Sequence, residues 1–109
     1  MIQDSDSRQF IQVIHMPADL QEKTLRYERL LRAALEKAVP SSIENSHMRR
    51  VAEDFRNMAD SYHKDGLFFL ESGDLVNALA SFSYGHAWLD AGAKLGVFDV
   101  HDNVLFTID

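Results

Sequence analysis

The feature that most limits how this chain can fold is a 3.6-residue apolar period that starts near Met48, runs to Leu95 and breaks once, at Gly73-Asp74. Before the break Met48, Val51, Ala52, Phe55, Met58, Ala59, Tyr62, Gly66, Phe69 and Leu70 share one helical face for about six turns. Gly73 suits the left-handed position that ends a helix, and Asp74 directly after it can accept from the first amides of the next one. Two long helices are therefore predicted to fold back on each other as a tight antiparallel hairpin.

The helix after the break, Leu75 to Leu95 and ended by Gly96, carries two apolar faces rather than one. Leu75, Ala78, Leu79, Phe82, Gly85, Leu89 and Ala93 form the first. Val76, Ala80, Tyr84, Ala87, Trp88, Ala91 and Leu95 lie nearly opposite. A helix packed on one neighbour needs only one such stripe. The second must meet another helix, the C-terminal tail or another subunit.

A further helix is expected upstream. Asp19 and Glu22 have capping-box spacing, and Leu20, Tyr27, Leu30, Leu31, Ala34, Leu35 and Ala38 hold one stripe up to Pro40, which disfavours helical dihedrals in the residue before it. Ser41 and Glu44 repeat the capping spacing, so the second helix is expected to restart at once. Three helices make the fold class all-α, an antiparallel three-helix bundle. Residues 1–15 are expected to be an extended or flexible arm, 16–96 the bundle, and 97–109 a tail packing on it. The alternation in VFDVHDNVLFTID, around a His101-Asp102-Asn103 turn signal, suggests a small hairpin or a strand pairing with residues 10–14.

At 109 residues the chain has room for a single core. It contains no cysteine, which removes disulfides, thiolate zinc sites and cysteine nucleophiles and suggests a reducing, cytoplasmic setting. No apolar run approaches the roughly 20 residues that span a bilayer, and Asp4, Asp6 and Arg8 do not resemble a signal peptide, so no membrane role is expected. The net charge of −6 is uneven, since from Ser61 onward only Lys64 and Lys94 oppose seven acidic residues. Nucleic acid is a disfavoured partner, because an acidic half repels phosphate and binding would depend on Arg26, Arg29, Arg49, Arg50 and Arg56 of the first two helices.

Two resemblances meet in the hairpin. Tyr62, Gly66, Phe69, Gly73, Ala78, Phe82 and Gly85 follow the spacing of a tetratricopeptide repeat, in which small residues let two helices approach and aromatics fill the gaps between them. Only one such unit is present, whereas repeat arrays need several. The stretch FFLESGDLVNALASFSYGHAWLDAGAKLGVF resembles a small, mainly archaeal family, domain of unknown function 357. The match runs through Gly73-Asp74, Asn77-Ala78, Phe82, Tyr84, Trp88-Leu89-Asp90-Ala91-Gly92 and Leu95-Gly96, with Gly85 and Ala87 exchanging two small residues of the family pattern. The resemblance implies a compact three-helix bundle and no established activity.

The sharpest chemical candidate is a metal or small-molecule site across the hairpin. Asp60 and His63 are three residues apart, His86 and Asp90 four, and counting thirteen residues each way from Gly73 sets Asp60 level with His86. No Glu-x-x-His pair, Gly-rich phosphate loop, His-Glu-x-x-His or Gly-x-Ser-x-Gly motif is present, and Ser81 and Ser83 have no evident base nearby in sequence. The expectation is a non-enzyme with no cofactor or metal, acting as a protein-interaction or self-association module, with a homodimer as one form of it, through the face of Tyr84, Trp88, Ala91 and Leu95. The alternatives are a metal or small-molecule binder at His63, His86 and Asp90, and an RNA-associated factor using the helical arginines.

Overall fold

The computed structural model describes residues 19–41, 46–102 and 104–106. Among these, three helices follow one another: α1 (Leu20–Lys37), α2 (Ser46–Glu71) and α3 (Leu75–Leu95). Asp19 caps α1 by accepting from the Glu22 amide at 3.0 Å. Asp74 caps α3 through Asn77, whose amide N and side-chain Nδ2 both donate to its carboxylate. Gly73 has φ +82°, and the Gly73 and Asp74 amides donate to Leu70 and Phe69 oxygens, a Schellman closure of α2. Gly96 repeats it at the end of α3, with φ +79° and Val97 N donating to Gly92 O at 3.0 Å. A side chain would strain either glycine at such an angle.

The hairpin register is the expected one. Tyr62 and Tyr84, each eleven residues from Gly73, lie against each other with ring centroids 5.8 Å apart, the same register that sets Asp60 level with His86 at thirteen. Gly66 leaves a hollow for Phe82, the largest fully buried side chain. Gly85 admits Leu31 of α1, the Ala59 carbonyl and Tyr62. The small-against-large pairing that the repeat-like spacing describes is thus how α2 and α3 come together.

α1 packs chiefly on α3 and less on α2. It runs parallel to α3, since Leu31 meets Gly85 and Pro40 meets Phe98, and antiparallel to α2, since Glu28 meets His63 while Leu35 meets Arg56. Arg56 donates to the Leu35 carbonyl at 3.0 Å, placing a cation on one of the last carbonyls of α1. Leu31, Ala34, Leu35 and Ala38 are buried as their spacing predicts, together with Thr24, whose hydroxyl donates to Leu20 O at 2.7 Å. That bond answers the polar group that burial would otherwise leave unpaired.

The tail differs from expectation, and the expected restart of α2 after Ser41 lies outside the described residues. The described helix begins at Ser46, and Glu44 lies outside the described residues. Ser41 reaches the tail: its amide donates to Val97 O and its hydroxyl to Gly96 O, both at 2.9 Å. Among the described residues the tail forms no hairpin, only an isolated antiparallel bridge between Pro40 and Phe98. Proline has no N–H to give, so the neighbours hold the bridge, with Asp99 N donating to Val39 O at 2.8 Å. Val97 and Phe98 are both buried, and so are Leu105 and Phe106, whereas adjacent residues of a strand face opposite sides. Around Asp102 the chain makes a turn, its carboxylate accepting from the Val104 and Leu105 amides and its carbonyl from Phe106 N. The bond from Lys37, and then those amides, hold the Asp102 carboxyl below its usual value. Pairing with residues 10–14 lies outside the described residues, as does the whole arm 1–15.

Candidate functional site

The first face of α3 is consumed by the fold: Ala78, Phe82, Gly85, Leu89 and Ala93 are buried against α1, α2 and the tail. Among the described residues nothing covers the second face. Val76, Tyr84 and Leu95 are 66%, 61% and 60% exposed, and Ala87 and Ala91 are exposed beside them. Trp88 is half-buried because Phe55 of α2 meets its ring edge-on at 5.0 Å, and Tyr62 supports one side of Tyr84. Together Tyr62, Tyr84, Ala87, Trp88 and Ala91 line a shallow apolar trough along the α2–α3 seam. α1 and the tail, two of the three covers the sequence allows for this face, sit on the other side of α3.

The four titratable candidates do not converge. Asp60 and His86 are level along the hairpin, as counted, but the residues that meet across it are Ala59, Tyr62 and Gly85. Each candidate is one position further on and so turned by about 100°. Asp60 bonds Lys64 at 3.0 Å. His63 bonds Glu28 of α1, 2.8 Å from Nε2 to Oε2. The His86 Nε2–H donates to the Leu105 carbonyl of the tail, with Asp90 Oδ1 3.8 Å away. Among the described residues no three His, Asp or Glu side chains are grouped closely enough to hold a metal ion.

Glu28 is a residue that the sequence reading did not single out. Its carboxylate takes both Arg32 Nε, at 3.0 Å, and Arg32 Nη2, at 3.2 Å, in addition to His63. Glu28–Arg32 is legible as an i,i+4 pair, but the link to His63 depends on how α1 is rotated over α2. Burial, the largest single influence, pushes the Glu28 carboxyl up; the bonds and charges of Arg32 and His63 together outweigh it and leave it lowered. A lowered carboxylate stabilises the fold above its unfolded value and loses that contribution as pH falls through the folded one. The advantage of the native chain over Glu28→Gln in urea midpoint should therefore be full at pH 7 and disappear below the ordinary carboxylate value of 4.5. A pH-independent difference would show that the charge on Glu28 is not what matters.

The arginines considered for nucleic acid are dispersed. Arg56 is engaged with Leu35 O and Arg49 stands 3.6 Å from Glu53, while Arg29 shares a shallow surface with Asp19 and Glu22. Ser83, one of the serines without an evident base, donates its hydroxyl to Leu79 O at 2.9 Å within its own helix. Next to the trough, and sharing Ala87 with it, a cleft of about 290 Å³ opens between α1, α3 and the tail, lined also by Tyr27, Leu30, Phe82, Ser83, His86, Asp90 and Val104. No helix among the described residues is long and apolar enough to cross a membrane.

A family model described as "Protein of unknown function (DUF357)" matches residues 26–98, covering most of α1, all of α2 and α3, and the Pro40–Phe98 bridge. No curated protein and no solved structure matches the chain.

Proposed function

The chain belongs to the DUF357 family of proteins of unknown function, and on that footing we propose that it acts as a non-catalytic module that associates with a second copy of itself through the outer face of α3. The observation that supports this is the combination of exposure with absence of charge. From Leu75 to Leu89 the helix contains no charged residue, yet Val76, Tyr84 and Ala87 face outward. An ordinary surface helix puts charged residues there.

The order of side-chain sizes favours a second copy as the partner. Along the face, Tyr84 and Leu95 flank the small Ala87 and Ala91. A two-fold axis between the alanines sets Ala87 opposite Ala91 of the other copy and brings Tyr84 within one residue of Leu95, so two antiparallel helices approach at the centre and are closed over at both ends.

Light scattering across a concentration series tests the reading. The native chain should be dimeric with a melting temperature that rises with concentration, and Tyr84→Glu with Leu95→Glu should be a folded monomer whose melting temperature does not depend on concentration, because both side chains are exposed in the single chain. A native chain that stays monomeric at every concentration, or a double variant that remains dimeric, overturns it.

A further inference from the structure

We propose that the cleft between α1, α3 and the C-terminal tail binds a small neutral aromatic alcohol, a phenol, whose hydroxyl donates to His86 Nδ1. The cleft adjoins the trough, with Ala87 common to both, but the inference stands on the lining of the cleft and not on the chain being a dimer. Its walls are apolar, from Tyr27, Leu30 and Phe82, and Ser83 and His86 bring polar atoms to it from one turn of α3. A few polar groups in an otherwise apolar recess is the usual composition of a small-molecule site.

The hydrogen bonds already made around the cleft decide the chemistry of its ligand. A backbone carbonyl can only accept, so His86 Nε2 carries a proton to bond Leu105 O, and in the neutral ring Nδ1 is then an acceptor. Ser83 gives its hydroxyl proton to Leu79 O, which leaves lone pairs on its oxygen. Both groups call for a donor, and neither calls for a charge. Asp90 supplies no spare charge, because its carboxylate is already engaged: His86 Nε2 lies 3.8 Å from Oδ1 and it has a further partner besides. A ligand cation is unwanted at the Tyr27 wall, where Lys23 Nζ and the Arg26 guanidinium already lie 5.8 and 6.0 Å from the ring centroid. A ligand anion would set its charge beside the Asp90 carboxylate. What fits is a neutral molecule with one good donor. The phenolic O–H is such a donor, and its ring suits walls built in part from the rings of Tyr27 and Phe82. At about 290 Å³ the cleft is at the small end of ligand sites, a size for a single ring.

The test is a titration of the full chain read by amide NMR shifts, with phenol, with anisole as the same ring lacking the donor, and with benzoate and benzylammonium as charged counterparts. Phenol should shift Ser83, His86 and Leu105 saturably and bind about fivefold more tightly than anisole, the worth of one neutral hydrogen bond. Both ions should bind more weakly than phenol. His86→Phe keeps an aromatic body and removes the acceptor, so once its melting curve shows it folded, phenol and anisole should bind it alike. The comparison of phenol with anisole on the native chain does not depend on that variant. Tyr84→Glu with Leu95→Glu should bind phenol as the native chain does, so that loss of a dimer and loss of the site are read separately. Equal binding of phenol and anisole, an ion that binds best, a phenol preference that survives His86→Phe, binding lost in the double glutamate variant, or no saturable shift overturns the proposal.

Discussion

Replacing Phe82 with alanine should lower the unfolding free energy by about 3–5 kcal/mol, a large part of the stability of a domain this size. Phe82 is 1% exposed and its ring fills the hollow left by Gly66, where an added Cβ would stand 2.3 Å from ring atom Cε1 and 2.6 Å from Cδ1. Gly66→Ala alone gains roughly 1 kcal/mol of helix propensity. It must then displace the ring from its place against α2, and the overpacking should win, for a net loss of about 1–2 kcal/mol. The informative result is the double variant. With Phe82→Ala the space that excluded the methyl is vacant, so the methyl fills part of the cavity and Gly66→Ala becomes stabilising. The two changes together should cost less than their sum by about 1 kcal/mol or more, measured by urea unfolding. Strict additivity would mean that the glycine is not there for the ring.

Gly92→Val should lower stability by about 3 kcal/mol, through the tail rather than the hairpin. A Cβ on Gly92 would stand 2.2 Å from Phe98 Cε2 and 2.7 Å from Cδ2, and Phe98 is 4% exposed. The ring cannot stay, and with it goes the bridge to Pro40 and the burial of Val97. Hydrogen exchange separates this from a general loss of stability. The amides of Ser41 and Asp99, which bond Val97 O and Val39 O, should become fast while those in the middle of α2 stay protected. Unchanged protection at Ser41 and Asp99 would show that the tail is held by something other than Phe98.

Much of the bundle was legible because its signals are local. Asp19, Asp74, Gly73 and Gly96 act through bonds within four residues of themselves, so caps and helix ends can be read without knowing what lies opposite. Even the register of α2 against α3 was legible, because a turn as short as Gly73-Asp74 leaves one way to pair the helices. The part Ser41 plays in holding the tail was not legible, because Gly96 O and Val97 O, which accept from it, are 55 and 56 positions away. The tail was misread as alternating because periodicity assumes a regular element. Val97-Phe98 and Leu105-Phe106 are instead two adjacent pairs pressed onto the bundle by turns.

The candidate sites failed or survived according to rotation about the helix axes. Asp60 and His86 are level but each is turned about 100° from the line of contact, so one bonds Lys64 and the other the tail. By itself the sequence determined three helices, where they end, how the hairpin is paired and that α3 has apolar residues on two sides, because each follows from spacing, propensity and chain connectivity over short range. Only the tertiary structure decided which side of α3 stays open, that His63 belongs to Glu28, and that α1, α3 and the tail enclose a cleft. Those depend on how separate helices rotate and settle against one another, which is set by the shapes of side chains distant in sequence, Leu31 in the gap at Gly85 and Phe98 over Gly92 above all.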